Sequence, residues 1–136
     1  MAREMRYHAM EVNSKLFLGK ILRDRGEFDR ARAVLAEAAD AFRENGSKDD
    51  LVEVLAALAC LAAMRGEAER AFRLAAAVES AGSASGVTIL PVVRHEIDAR
   101  LAAVRGRLRD DALARAEARG RAMSLDEALC EALASG

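Results

Sequence analysis

The amino-acid sequence predicts an all-α fold of antiparallel helical hairpins stacked into one domain. Three observations predict it. Hydrophobic residues make up 52% of the chain but aromatics only 4%, with a single Pro, a composition suited to helices packed closely through Ala and Leu. No segment sustains the period-2 alternation of a half-buried strand. Most informative, Arg25-Gly26, Arg65-Gly66 and Arg105-Gly106 recur at a constant spacing of 40 residues, and recurrence at a fixed period marks a repeat architecture. Each Gly follows an apolar helical pattern, and Glu27 and Glu67 follow the first two. The grammar is therefore helix, Gly stop, acidic first turn, helix. At 136 residues the chain can bury one continuous core but not two ordinary ones, so residues 1–136 read as a single domain.

The first repeat, about residues 4–45, comprises helices over about 4–25 and 27–43. Its inner positions Leu16, Gly19, Leu22, Phe28, Ala31, Leu35 and Ala38 fall at spacings of three and four that form facing stripes. Asn45-Gly46-Ser47 breaks the chain, and Ser47, Asp49 and Asp50 offer N-cap oxygens to a helix carrying Leu51, Leu55, Leu58 and Leu61. That helix opens the second repeat, about 48–81. Its partner, from Glu67 to about Ser80, turns Phe72 and Val78 inward while Ala71 and Ala75 let the backbones approach. A loop of small residues is expected over Ala81 to Gly86. Pro91 then takes a first-turn position, where its missing N–H costs nothing. The third repeat, about 90–120, pairs a helix from Pro91 to Arg109 with one from Asp110 to Arg119, closing at Gly120. Ser124-Leu125-Asp126-Glu127 reads as a capping box. The helix it opens, over 124–134, carries Leu125, Leu129 and Leu133 as a stripe expected to cap the stack.

Twenty-one basic against 22 acidic residues leave a formal charge of -1, so no general attraction to nucleic acid or an anionic membrane is expected. Cys60 and Cys130 both lie in apolar helical patterns, where a thiol is expected to be a small buried hydrophobe. The N-terminal residues Arg3, Glu4, Arg6 and His8 contain no apolar targeting segment, and no run is long enough to span a membrane. A reducing cytoplasm is the expected location.

Catalytic apparatus is hard to assemble from these residues. His95-Glu96 with Asp98 comes nearest to a metal or acid–base cluster, but no second His stands four residues on. Arg94 and Asp98 are expected to form an exposed pair one helical turn apart. His8 is isolated, and no Gly-rich phosphate loop, nucleophile elbow or Cys–His pairing occurs. The sequence thus points to a non-enzymatic protein with no cofactor and no metal.

The positions of Gly19, Gly26, Phe28, Ala31, Leu35 and Ala38 resemble the tetratricopeptide repeat pattern, and Ala59, Gly66, Ala71 and Val78 follow it more loosely. The stretch from Leu55 to Leu133 resembles something narrower. Leu58-Ala59-Cys60-Leu61-Ala62-Ala63-Met64-Arg65-Gly66, Glu69-Arg70-Ala71 and Gly120-Arg121-Ala122-Met123-Ser124-Leu125-Asp126-Glu127-Ala128 are similar to the helical-repeat region of LuxR-type and MalT-like bacterial transcription regulators. The resemblance implies a short tetratricopeptide-like (TPR-like) right-handed solenoid serving as the sensor or partner-binding segment of a signalling protein. Arg107 to Leu129 also allows a helix-turn-helix reading. Its last helix bears Asp126, Glu127 and Glu131 in place of base-reading Arg, Asn or Gln, so direct binding of nucleic acid by this segment is not expected.

In such a stack the first helix of each pair lines the concave surface. Asn13, Lys20 and Arg23 would then face Glu53, Ala57 and Cys60 across a peptide groove, with the two cations holding a carboxylate and Ala57 leaving room for an apolar side chain. The competing reading is an ordinary solvated helix face. Two further alternatives stay open: a homodimer formed through an exposed end of the stack, and a helical enzyme subunit whose catalytic residues come from another chain.

Overall fold

A computed structural model describes residues 14–134, which fold as seven α-helices and one 3-10 turn with no strand among the described residues. Helix α1 covers residues 14–24 of the described chain. It is followed by α2 (Phe28–Asn45), α3 (Lys48–Met64), α4 (Ala68–Ser85), α5 (Pro91–Val104), the 3-10 turn Arg105–Arg107, α6 (Asp110–Ala122) and α7 (Leu125–Leu133).

Glycine sets the length of the first four helices. Gly26, Gly46, Gly66 and Gly86 all have positive φ, between 69° and 82°, a region where a Cβ would cost about 1 kcal/mol. Around each of them the same two hydrogen bonds close the helix. At Gly26 its N–H donates to Arg23 O and that of Glu27 to Leu22 O, and at Gly66 the pairs are Gly66 to Ala63 O and Glu67 to Ala62 O. Gly46 and Gly86 repeat them with Arg43 and Phe42, and with Ser83 and Gly82. This doubled closure satisfies carbonyls that the helix end leaves without partners. Gly86 follows Gly46 by the same 40 residues that separate Gly26 from Gly66.

Several local expectations change. Helix α4 runs to Ser85, so Ala81 to Ser85 is helical rather than a loop; Ala81 and Gly82 are buried there. Gly106 keeps the spacing but not the conformation, lying in the 3-10 turn without positive φ. Gly120 does not end a helix. It sits within α6, where an added Cβ would lie 2.0 Å from Arg73 O and 2.8 Å from Ala76 Cβ. Ser47 occupies the N-cap of α3 without a side-chain cap bond. Pro91 stands in the first turn of α5, and the Ser124–Glu127 capping box forms with both of its hydrogen bonds.

Packing centres on α3, whose residues from Val54 to Ala63 are buried on every side. A helix apolar all round must be enclosed, and α3 packs against α2, α4, α5 and α7. The third pair divides its allegiance: α5 lies on α3, whereas α6 lies along α4 in the most extensive helix contact. Small residues permit that closeness: Gly120 of α6 meets α4 at Arg73 and Ala76, and Ala116 of the same helix is buried. Helix α7 buries Ala128, Leu129 and Ala132 and packs on α3 and α4. Its two ends are tied to α2, through Arg43 Nε to Asp126 Oδ1 at 3.6 Å and Arg32 Nη1 to Ala134 O at 3.2 Å, so α7 runs antiparallel to α2.

Candidate functional site

The odd-numbered helices α1, α3 and α5 bring most of the expected groove residues together. A cleft of about 120 Å³ is lined by Lys20 of α1, by Glu53, Ala56, Ala57 and Cys60 of α3, and by Leu90, Val92, Val93, Glu96 and Ile97 at and within α5. Asn13 lies outside the described residues. Helical spacing explains the α3 contribution, since Glu53, Ala56, Ala57 and Cys60 are three, four and seven residues apart and share a face.

The two cations expected to hold a partner's carboxylate already hold carboxylates of this chain. Lys20 Nζ is 2.8 Å from Glu53 Oε1. Arg23 does not face the groove as a solvated cation: it is only 1% exposed, with Nε 3.0 Å from Asp24 Oδ1 and Nη2 2.9 Å from Glu96 Oε1. A guanidinium can be buried only where its charge is matched and its donors are used. Here one donor nitrogen, Nη1, has no hydrogen-bond partner among the described residues. Cys60 is buried against this group. Desolvation pushes its thiol up to about 12, with Arg23 opposing the rise and a hydrogen bond to Glu96 adding to it. Such a thiol stays neutral and unreactive. Cys130, expected to be buried, is exposed.

A second cleft of about 250 Å³ adjoins the first and shares Glu53, Ala56, Leu90 and Val93 with it. Its walls are apolar, including Val52, Val78 and Ile89, while Asp49 and Asp50 stand with Glu53 at its edge. Burial, followed by the neighbouring charges of Glu53 and Asp49, raises the Asp50 carboxyl above its ordinary value. Leu90 and Val92, 57% and 71% exposed, stand beside these clefts without cover. Among the described residues the combined surface presents four carboxylates, Asp49, Asp50, Glu53 and Glu96, against one lysine, so its charge suits a basic group more than the acidic one expected from Lys20 and Arg23.

Sequence reasoning missed the contribution of α5. Glu96 was read with His95 and Asp98 as a weak metal-like cluster, yet His95 and Asp98 are exposed and no group of three metal-type ligands gathers among the described residues. Arg94 pairs with Glu79 of α4. Arg73 was also missed. It is 8% exposed where α4, α6 and α7 meet, paired with Glu69 and Glu131. No local signal marks either buried arginine, because each is buried by distant elements. Among the described residues no helix is long and apolar enough to cross a membrane.

Comparison with protein families, curated proteins and solved structures gave no match. What the residues define is an all-helical chain of glycine-punctuated hairpins bearing an apolar, acid-edged cleft.

Proposed function

We propose that the chain is a non-catalytic, TPR-like interaction module that binds a protein or peptide partner through the α1–α3–α5 surface. The sensor or partner-binding segment of a cytoplasmic bacterial transcription regulator is the context that the sequence resemblance suggests. The observation carrying the proposal is the double cleft, where side chains of α1, α3 and α5 meet under the exposed Leu90 and Val92. An apolar side chain of a partner would enter between Val78, Ile89 and Val93. A neighbouring Lys or Arg of that partner would meet Asp49, Asp50 and Glu53. The 40-residue glycine period favours a right-handed solenoid as the scaffold.

Replacing Leu90 and Val92 together by Glu tests this, since both are exposed and neither supports the core. A partner captured by the wild-type chain should be lost by the double variant with helix content unchanged. Capture by both alike would remove the cleft from the interaction.

One observation favours self-association as a second reading. Phe17, Leu18 and Ile21 of α1 are exposed, and three such side chains on one helix face form an apolar patch of the kind that interfaces use. A monomer by light scattering at high concentration would exclude it.

A further inference from the structure

At the opposite end of α5 from the apolar rim, three arginines from separate elements surround a cavity of about 300 Å³. Arg65 comes from the end of α3, Arg100 from α5 and Arg107 from the 3-10 turn, with Met64, Ala103 and Val104 as apolar wall. No acidic residue among the described ones lines the cavity.

Gly66 makes this arrangement possible in two ways. Its φ of +81° closes α3, and the space where a Cβ would stand is occupied by Arg107, whose Nη1 would be 2.4 Å away. In that position Arg107 Nη1 donates to Gly66 O at 3.2 Å. Arg107 pairs with no carboxylate among the described residues. Of the other two, Arg65 already meets two carboxylates and the Phe28 ring, which leaves Arg100 beside Arg107 as the cation with charge to spare. Arg100 approaches Asp24 loosely at 3.8 Å, and Arg65 divides itself between Asp29 and Glu67, both at 3.4 Å. A guanidinium carries five N–H donors in a planar fork, so Arg100 and Arg107 keep donors that meet no anion among the described residues.

We infer that this cavity is an anion site for a diphosphate group, either free or as the end of a nucleoside diphosphate. The guanidinium groups of Arg100 and Arg107, with Arg65 lining the same cavity, match an anion of two or more charges, and bidentate Arg–phosphate pairing gives it geometry as well as charge. A single carboxylate would leave most of the forks unused. The apolar wall offers a surface for a base or ribose and nothing to an inorganic ion, which provides the means of separating the two sources. The inference is independent of the partner-binding proposal, because the site lies away from Leu90 and Val92.

Titration calorimetry on the full chain at low salt, with pyrophosphate and with ADP, tests it. The wild-type chain should bind at least one of the two. Arg107→Gln and Arg100→Gln should each weaken that binding by roughly tenfold or more, while Arg115→Gln, on the exposed side of α6, should leave it unchanged. Tighter binding of ADP assigns a nucleotide, and equal binding of the two assigns the free diphosphate. Circular dichroism accompanies each variant, and the two arginine variants are read separately so that loss of fold in one leaves the other decisive. Absence of heat with both probes, or binding indifferent to Arg107→Gln and Arg100→Gln, overturns the site.

Discussion

Arg23 Nη2 stands 2.9 Å from Glu96 Oε1, joining α1 to α5 across the flank of α3 by a cation that water scarcely reaches. Removing Glu96 would strand a buried guanidinium that already has one unpartnered nitrogen. Glu96→Ala should therefore cost about 1–3 kcal/mol in urea unfolding, the range for an unsatisfied buried donor. The figure stays below that of a fully enclosed ion pair because Glu96 is itself 42% exposed. Arg23→Met in the same background should restore part of the loss. Wild-type stability in Glu96→Ala would show that Arg23 finds its compensation elsewhere.

Gly120 offers a test in which two principles predict opposite signs. Helix propensity favours Ala over Gly by about 1 kcal/mol inside a helix. The Cβ of Gly120→Ala would collide with the carbonyl of Arg73, an atom that cannot move without shifting α4. Overpacking of about 1–3 kcal/mol should win, and the melting temperature should fall. A rise would mean that α6 does not approach α4 so closely.

The two thiols should separate cleanly. Cys130 is exposed and should react with an aromatic disulfide reagent in the native state, a reaction abolished by Cys130→Ser; Cys60 should react only on unfolding. Its pKa is raised from 9.0 to about 12, so the folded chain keeps a proton that the unfolded chain gives up. Stability from this group is complete below about 9 and is lost as pH rises toward 12. Cys60→Ala should flatten that alkaline limb. An equal alkaline decline in the variant would place its origin in other groups.

At the start of α7, the Ser124 hydroxyl accepts from the Glu127 N–H and the Glu127 carboxylate accepts from the Ser124 N–H, each at 3.1 Å. The Ser124 N–H, and after it the Ser124 hydroxyl, hold the Glu127 carboxyl below its ordinary value. Its contribution is present above the ordinary value of 4.5 and is lost as pH falls through the lowered one. Ser124→Ala should cost about 1 kcal/mol, and Glu127→Ala should reduce the acid sensitivity of unfolding. Unaltered acid unfolding in Glu127→Ala would detach the box from the pH response.

Much of the scaffold was legible in residue types that have one physical use. Gly26 and Gly66 were readable because only glycine closes a helix so cheaply, and Ser124 to Glu127 because the box is a local reciprocal contact. The 40-residue step from Gly46 to Gly86 went unread, since Ala81-Gly82-Ser83-Ala84-Ser85 looks like a loop until the burial of Ala81 and Gly82 is known. Gly106 and Gly120 misled for the converse reason: glycine also serves a 3-10 turn and a close helix crossing. At the cleft, helical spacing placed Glu53, Ala57 and Cys60 on one face, and their meeting with Lys20 followed from hairpin order. The burial of Arg23 and the arrival of Glu96, Leu90 and Val92 depended on how α5 settles on α3, which no local pattern encodes.

The return of α7 to α2 has a consequence for how the molecule comes apart. In a linear array each unit grips only its neighbours, and melting can start from either tip. Here Arg32 holds the carbonyl of Ala134 across 102 residues of chain, and Arg70 reaches Glu131 O at 2.7 Å. The last helix thus works as a clasp across the first two hairpins, closing what would be an open row into a ring of dependencies. Loss of any one hairpin loosens the clasp for the others, which favours unfolding in a single concerted event over piecemeal fraying.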